Sequence, residues 1–440
     1  MPPTTPQLPA PAYALERFTL DNGLPVLLAP DRSVPVVAVA VHYDVGMRSE
    51  PEGRTGFAHL FEHLMFQGSA NLEKLEHFRY VQSSGGTFNG STHFDYTNYF
   101  EMLPSNALER ALFLEADRMR SPRINTENLA NQLSVVKEEI RVQVMNRPYG
   151  GFPWLHLPAV MFDSFANAHN GYGEFADLEA ATVDDAAAFF RRYYAPSNAL
   201  LTVAGDFAVE DAHTMIERHF GSIKSRRRPK LPDFAEPDLT TERRATRTDA
   251  HAPMPAVAAA WRVPDPVKAL PEYLTVLVLS EMLTDGDASR LERRLVQQDR
   301  TVSQLATYLS FMGNPFDVRD PTALVLHLIH NQDVTADQVL KAAHEEFDRL
   351  ATDGPDPGEL ERIKSRLVAQ ILGDMDSVLG RALQLAPLEQ QHGRAELISE
   401  IPALIGAVTA TSVQAAAGAL QPGRRAVVEL IPEGKNGAAQ

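Results

Sequence analysis

Hydrophobic and polar residues alternate with helical spacing in a short segment between Gly56 and Gly68. One stripe along this segment is apolar, and the stripe beside it is mostly polar. The apolar stripe contains Phe57, Leu60, Phe61, Leu64 and Met65, and the neighbouring stripe contains His59, Glu62, His63 and Phe66. The pattern predicts a short helix that packs on its apolar stripe and presents the histidine and glutamate side chains to a cavity.

A longer helical pattern covers residues 125–147, where Asn125 is a capping residue and Pro148 ends the helix. Its apolar stripe contains Leu129, Leu133, Val136, Ile140 and Val144. Glu138 falls on the solvated side of this helix, whereas Glu139 falls at the edge of the apolar stripe. Glu139 is therefore expected to point inward, and Glu138 is expected to be an ordinary solvated carboxylate.

Strand-like runs occur at corresponding places in the two parts of the chain. Residues 34–41 and 254–261 each open a part and are followed by a loop and a helix, while residues 200–206 and 425–431 close the parts at similar distances. The repetition predicts two equivalent α+β domains, each with a mostly antiparallel sheet and with helices packed on one face.

Composition places the boundaries between these parts. The predicted organisation is a disordered tail at 1–14, a first domain at 15–224, a linker at 225–240, a second domain at 241–432 and a disordered tail at 433–440. The linker carries three prolines and a basic run at 226–230. Because the protein is acidic, a solvated linker explains this run better than a nucleic-acid contact does.

Charge and cysteine usage restrict the function classes. The net charge of −16 over 440 residues argues against a nucleic-acid partner. The chain has no cysteine, which excludes thiolate nucleophiles, cysteine-ligated zinc and disulfides. No apolar run reaches membrane-spanning length, and the proline-rich start lacks the pattern of a signal peptide. We therefore expect a cytoplasmic protein without a membrane partner.

Residues 59–63 read His-Leu-Phe-Glu-His, an inverted form of the zincin signature. In a helix, His59 and His63 lie one turn apart with Glu62 beside them. Two such histidines can occur by chance, but the intervening glutamate and the inward-facing Glu139 favour a metal site. Two imidazoles and a carboxylate are typical ligands of a catalytic zinc, which keeps a fourth position for water.

The chain resembles the pitrilysin and mitochondrial processing peptidase family of zinc metallopeptidases, the inverzincins. The resemblance rests on five segments, 59–69, 85–92, 135–139, 147–150 and 193–199. It implies two homologous halves that face each other. It also implies one zinc ion per chain, bound by His59, His63 and Glu139, with Glu62 as the general base.

Other expectations follow from the same resemblance. Gln132 stands where many members carry a second glutamate, so it is expected to orient a ligand as a neutral amide. Residues 87–93 are a candidate edge strand, to which an extended peptide substrate would add as a further strand. The expected backbone contacts to the substrate are Asn89, Gly90, Ser91 and Thr92.

Many family members also brace the substrate with an Arg/Tyr pair from the second half. In the preferred register, Val296 and Ser303 occupy these two positions, so the pair is missing and a homologous partner subunit is expected to supply it. In another register, Arg294, Arg300 or Tyr308 could fill the gap.

The sequence therefore predicts a zinc endopeptidase subunit that cleaves extended peptides inside a chamber formed with a partner. Precursor or leader processing and oligopeptide degradation remain open as its role. The alternative is a catalytically inert structural or interaction subunit of the same fold, which would have no need of the four site residues together.

Overall fold

The computed structural model describes residues 13–311 and 314–433, and its strands form two sheets. The first sheet contains β1 (Glu16–Thr19), β2 (Pro25–Pro30), β3 (Val36–Tyr43), β4 (Thr87–Thr92), β5 (Thr97–Pro104) and β6 (Ala199–Gly205). The second contains β7 (Arg243–Asp249), β8 (Ala256–Arg262), β9 (Val302–Leu309), β10 (Ala323–His330) and β11 (Arg425–Pro432).

The two sheets share one topology. The strand order is β1-β2-β6-β3-β5-β4 in the first and β7-β11-β8-β10-β9 in the second. The pairs β2·β6 and β7·β11 are parallel, and every other pair is antiparallel. With β1 set aside, order and direction match strand for strand. The predicted α+β class and the mostly antiparallel sheets are confirmed.

Helices follow the strands of each sheet. In the first half they are α1 (Phe57–Leu64), α2 (Glu76–Ser83), α3 (Leu108–Arg120), α4 (Thr126–Ile140), α5 (Leu157–Met161), α6 (Phe165–Ala168), α7 (Phe175–Glu179), α8 (Val183–Tyr193) and α9 (Val209–Phe220). In the second half they are α10 (Leu270–Thr284), α11 (Ala336–Asp353), α12 (Pro357–Asp376), α13 (Val378–His392), α14 (Leu397–Gly406) and α15 (Ala410–Ala419). Shorter or irregular helical segments are the π-helical Arg141–Met145 and Glu292–Gln298 and the 3₁₀ turns Met47–Ser49, Ser105–Ala107, Pro196–Asn198 and Pro422–Arg424.

The two halves also cover each other's sheets, because alternate strand residues face opposite sides. Val37, Val39 and Val41 of β3 pack on helices of the first half. Ala38 and Ala40 of the same strand join the core of the second half, where α13 crosses β3 and β6. In the second sheet, α5 of the first half crosses β7, β8 and β11. Ala258 and Ala260 of β8 belong to the core formed there. Small side chains on these faces let a helix from the other half approach closely. Each sheet is thus covered on its second face by the opposite half.

The segments predicted as tails and linker are only partly described. Residues 1–12 and 434–440 lie outside the described residues. Tyr13 packs against the second-half core, and the guanidinium of Arg381 lies 5.2 Å from its ring centroid. Residues 225–240 contain no helix or strand, yet Leu239 is buried among residues of both halves. The domain boundaries themselves stay predictions.

Among the described residues, no single helix is long and apolar enough to cross a membrane. One bent pair, α14 and α15 at 95° to each other, passes that test by length and composition alone.

Candidate metal centre

Helix α1 carries three of the predicted site residues. It begins after Gly56, whose φ of 82° is left-handed, and its apolar side chains Phe57, Leu60, Phe61 and Leu64 are buried against the sheet. Burial of this stripe fixes the rotation of the helix, so the stripe with His59, Glu62 and His63 faces away from the sheet interior.

Helix α4 lies against α1 and presents Glu139 to it. The side-chain oxygen of Asn125 accepts the backbone N–H of Asn128 at 2.8 Å, which is the predicted cap. Glu138 is 64% exposed and pairs with Arg141 at 3.3 Å, as expected for a solvated carboxylate. The side chain of Glu139 is only 32% exposed.

The structure brings His59, His63 and Glu139 together. The Nε2 atoms of the two histidines are 3.3 Å apart. Glu139 Oε1 lies 3.5 Å from His59 Nε2, and Glu139 Oε2 lies 3.3 Å from His63 Nε2. In tetrahedral zinc sites with bonds of about 2.0–2.1 Å, two ligand atoms are roughly 3.3–3.4 Å apart. Both the types of donor atom and their spacing fit a zinc ion.

Charge at this cluster is balanced between the imidazoles and the carboxylate. Hydrogen bonding to His59 and to His63 holds the pKa of Glu139 well below its ordinary value of 4.5. Burial lowers the pKa of His59, but hydrogen bonding and charge at Glu139 outweigh it, so the pKa is raised overall. Glu139 is therefore anionic at neutral pH and available as a ligand.

Strand β4 lies directly behind Glu62. The hydroxyl of Thr92 donates a 2.7 Å hydrogen bond to Glu62 Oε2. A Cβ atom added at Gly90 would lie 3.2 Å from Glu62 Cγ, closer than most van der Waals contacts. Thr92 thus orients the carboxylate, and the absent side chain at Gly90 makes room for it.

Asn89 and Ser91 point to the other face of β4. Ser91 Oγ donates to Asn98 Oδ1 at 2.7 Å, and the Asn89 side chain accepts from the backbone N–H of Gly90 at 3.0 Å. Within the described residues β4 pairs with β5 alone, so it forms one edge of the first sheet. The backbone of its outer side is available for a further strand.

Two models of one peptidase family match the chain. The model described as Insulinase (Peptidase family M16) matches residues 25–167, and the model described as Peptidase M16 inactive domain matches residues 180–367. Together they span well over half of the sequence. The chain belongs to peptidase family M16.

Individual relatives agree. The chain is 28% identical over 370 residues to the zinc protease PqqE of Helicobacter pylori, covering 82% of this chain and 80% of that protein. It is 22% identical over 409 residues to the mitochondrial-processing peptidase subunit beta of Lentinula edodes, covering 91% of this chain and 86% of that protein. The crystal structure of a protease from Helicobacter pylori superposes with a TM-score of 0.88 at 25% identity, covering 96% of this chain and 100% of that one.

The insulinase match covers His59, His63 and Glu139. The inactive-domain match begins at residue 180, so it covers α8, β6 and α9 of the first half and then the second half as far as residue 367.

Gln132 is buried on the same face of α4 as Glu139, two turns before it, and its amide donates to Asn131 Oδ1 at 2.7 Å. This hydrogen bond is to a neighbour on the same helix and not to a ligand. Its expected role in orienting a ligand stays a prediction.

The second-half residues considered for the Arg/Tyr pair are mostly engaged elsewhere. Arg294 pairs with Asp299 at 2.7 Å and with Glu345 at 3.2 Å, and Ser303 donates to the backbone oxygen of Ile329. The remaining members of this set are Val296, which packs against the second-half core, Arg300, which is exposed, and Tyr308, which is 42% exposed beside Trp154.

Sequence reasoning missed Tyr172 and Glu50. The ring of Tyr172 meets the ring of His59 edge to face, with centroids 5.3 Å apart. Burial raises the pKa of Tyr172, and the nearby charges of Glu139 and Glu62 add to this effect. Its only local signal is the turn sequence Asn-Gly-Tyr-Gly at 170–173. Glu50 accepts hydrogen bonds from the start of α1. It lies nine residues before His59 in the sequence, and no helical spacing connects it with the site.

A second cluster of potential ligands lies behind α1. His77, Glu101 and Glu115 are all buried, and His77 Nε2 lies 2.7 Å from Glu101 Oε1. Here the guanidinium of Arg118 contacts Glu115 and lies over the rings of Phe66 and Tyr99. A cation of the protein itself already lies against these carboxylates.

Proposed function

We propose that this M16 chain is the zinc-bearing subunit of a metalloendopeptidase that cleaves extended peptides. The observation that carries the proposal is the spacing of His59, His63 and Glu139, which matches three corners of a zinc tetrahedron with Glu62 beside them. The name of the Helicobacter pylori relative, a zinc protease, supports it.

In the proposed reaction, the zinc ion supplies Lewis-acid activation of a water molecule. Glu62 takes the proton of that water at its carboxylate and later gives it to the leaving amine of the cleaved bond. Thr92 keeps one oxygen of Glu62 hydrogen-bonded, which holds the other oxygen in a defined direction. The backbone of residues 89–92 would hold the peptide as an added strand.

The proposed assembly has a homologous partner subunit that contributes an arginine and a tyrosine opposite the metal. Two features support this: Val296 and Ser303 cannot do this chemistry, and Arg294 is held by two carboxylates. Among the candidates within the chain, Arg300 and Tyr308 are both exposed. We also propose a cytoplasmic location, and the role of the subunit is either precursor processing or peptide degradation.

Glu62→Gln tests the function. Glutamine keeps size and hydrogen bonding to Thr92 but cannot take a proton, so zinc content should stay near one per chain while peptide hydrolysis falls on the order of a thousandfold. Near-normal turnover would exclude Glu62 as the base. A wild-type chain with zinc and no hydrolysis under any condition would favour the inert subunit.

A second experiment tests the partner. The chain is purified alone and assayed on a mixture of unstructured peptides with and without a homologous subunit that carries the Arg/Tyr pair. Low activity alone and a rise on mixing are expected. Full activity of the lone chain would refute the heterodimer, and Tyr308→Phe would then show whether this tyrosine takes the missing role.

A further inference from the structure

The start of helix α1 lacks a cap of its own. The residue before the helix is Gly56, which has no side chain to accept the free N–H groups of the first turn. The carboxylate of Glu50 takes this place. Its Oε2 accepts the N–H of Gly56 at 2.8 Å, and its Oε1 accepts the N–H of Ala58 at 2.7 Å. A carboxylate at a helix N-terminus also opposes the helix dipole.

Glu50 is itself held by a histidine from a distant segment. His169 Nε2 lies 3.0 Å from Glu50 Oε2, and the carboxylate has no exposed surface. His169 Nδ1 lies 2.8 Å from the backbone oxygen of Phe165, and the two rings stack with centroids 4.5 Å apart. Burial lowers the pKa of His169, but the contact with Glu50 outweighs it and raises the pKa. The pair is a buried, fully oriented ion pair.

The segment that carries His169 is anchored in turn. Asn167 donates to the backbone oxygen of Phe234 at 2.9 Å and to Glu236 at 2.8 Å. These residues belong to the connection between the halves, and α5 just upstream packs on the second sheet. Glu50 is therefore held by a segment that is itself hydrogen-bonded to the connection between the halves.

The position of Glu50 matters because α1 is only eight residues long. Ala58, whose N–H it accepts, directly precedes His59, and Glu62 and His63 follow within the next turn. In a helix of two turns, a change in the direction of the first turn moves every side chain of the helix. Loss of the cap would move both histidines relative to Glu139, which is on another helix.

We propose that Glu50 is a positioning residue for the metal centre. It makes no hydrogen bond to the residues that would bind zinc or act as base, and with His169 it fixes the helix that carries them. The affinity for zinc and the catalytic rate therefore depend on the Glu50 carboxylate. This inference rests on the proposed function, since it assumes that His59, His63 and Glu139 bind the ion.

The loop before α1 offers a matched control. Asp177 Oδ2 accepts the backbone N–H of Thr55 at 3.0 Å and its hydroxyl at 2.6 Å. Asp177 thus makes two hydrogen bonds to the same loop as Glu50 but none to the amides of the helix. Asp177→Asn weakens the loop without removing the helix cap.

The test measures zinc affinity of the purified full-length chain by competition with a chromophoric chelator. In Glu50→Gln one of the two amides would face an NH₂ group, so zinc should bind ten- to a hundredfold more weakly, within the range found for residues that support metal ligands. Asp177→Asn should stay within about threefold of the wild type. Thermal unfolding of the zinc-free proteins, measured in parallel, shows how much each substitution destabilises the fold.

In the active assembly, Glu50→Gln should lower kcat with little change in KM, because the substrate strand pairs with β4 and not with α1. Zinc affinities that fall equally in Glu50→Gln and Asp177→Asn, or an unchanged affinity in Glu50→Gln, would overturn the positioning role. If Glu50→Gln does not fold, His169→Gln decides: an affinity three- to tenfold weaker is expected, and no change refutes the proposal. A wild-type chain that binds no zinc would instead refute the proposed function.

Discussion

Two clusters of histidine and carboxylate side chains lie on opposite sides of the α1 region, and they differ in charge and access. In the first, His59, His63 and Glu139 have side chains 10–32% exposed, and no arginine takes part. In the second, His77 and Glu101 are at most 5% exposed. Arg118, fully buried, lies with its guanidinium 4.4 Å from the ring centroid of Tyr99.

The difference shows that donor atoms alone do not identify a metal site. Both clusters have three groups that could bind an ion at suitable spacing. The second already contains a positive charge and has no open side, so a further dication would bring excess charge into a low-dielectric interior. The first has an anionic glutamate, two imidazoles and access for water.

The second cluster supports the first. Arg118 lies over the ring of Tyr99. The hydroxyl of Tyr99 donates a hydrogen bond to the backbone oxygen of Phe61 in α1 at 3.1 Å. The first cluster is thus positioned to bind a metal ion, and the second cluster supports helix α1 from the opposite side.

The largest expected effect is a difference in zinc content between variants of the two clusters. Glu139→Ala should lose almost all zinc, because only two ligands remain, whereas Glu115→Gln should keep about one zinc per chain. Elemental analysis of the purified variants measures this. Equal zinc loss in both variants, or in neither, would contradict the assignment of the ion to the first cluster.

The second cluster should show its role in stability. At pH 8, above the raised pKa of Glu101 and of Glu115, Arg118→Met leaves two buried carboxylates without their cation, which should lower the free energy of unfolding by about 3–5 kcal/mol. Arg79 is the control, because it pairs with Glu76 three residues away, as Arg118 does with Glu115, but it is 67% exposed. Arg79→Met should change stability by less than about 1 kcal/mol. Urea unfolding compares the two, and similar losses would refute the buried role of Arg118.

The carboxylates of the second cluster also make stability depend on pH. Burial raises the pKa of Glu101 and of Glu115 to about 7, against an ordinary value of 4.5, although Arg118 opposes the shift. The folded protein therefore holds protons that the unfolded chain releases, so the free energy of unfolding falls as pH rises from about 4.5 through 7.

Glu101→Gln removes one of these groups. The fall in stability between pH 5 and pH 8 should be smaller in this variant than in the wild type, by on the order of 3 kcal/mol for one such group. Urea unfolding at both pH values, at one zinc concentration, provides the comparison. Parallel pH profiles for the two proteins would contradict the raised pKa of Glu101.

Several elements could be predicted from the sequence because their signals are local. These signals are the apolar stripes of α1 and α4, the cap at Asn125 and the short polar run of β4. Each depends on the spacing of residues within a few turns or positions. The inward direction of Glu139 followed from its place beside the apolar stripe. Two equivalent sheets followed from repeated strand patterns.

Other features depend on contacts between distant segments and had no such signal. Glu101 and His77 lie on a strand and a helix whose relative placement is set only by packing. His169 reaches Glu50 from more than a hundred residues away. The alanines of β3 indicate a strand but do not tell that α13 of the other half covers them.

The smallest expected effect concerns Thr92, which was predicted as a substrate contact and which the structure places on Glu62. Thr92→Val keeps the shape of the side chain and removes the 2.7 Å hydrogen bond to Glu62 Oε2. A lost hydrogen bond to a charged group, at about 1.5 kcal/mol, should lower kcat roughly tenfold. Since substrate pairing uses the strand backbone, KM should change little. Thr87→Val, at the exposed start of the same strand, is the control and should leave kcat unchanged. Steady-state kinetics on one peptide substrate separate the two roles. A raised KM with normal kcat in Thr92→Val would show that Thr92 contacts the substrate and does not orient the base.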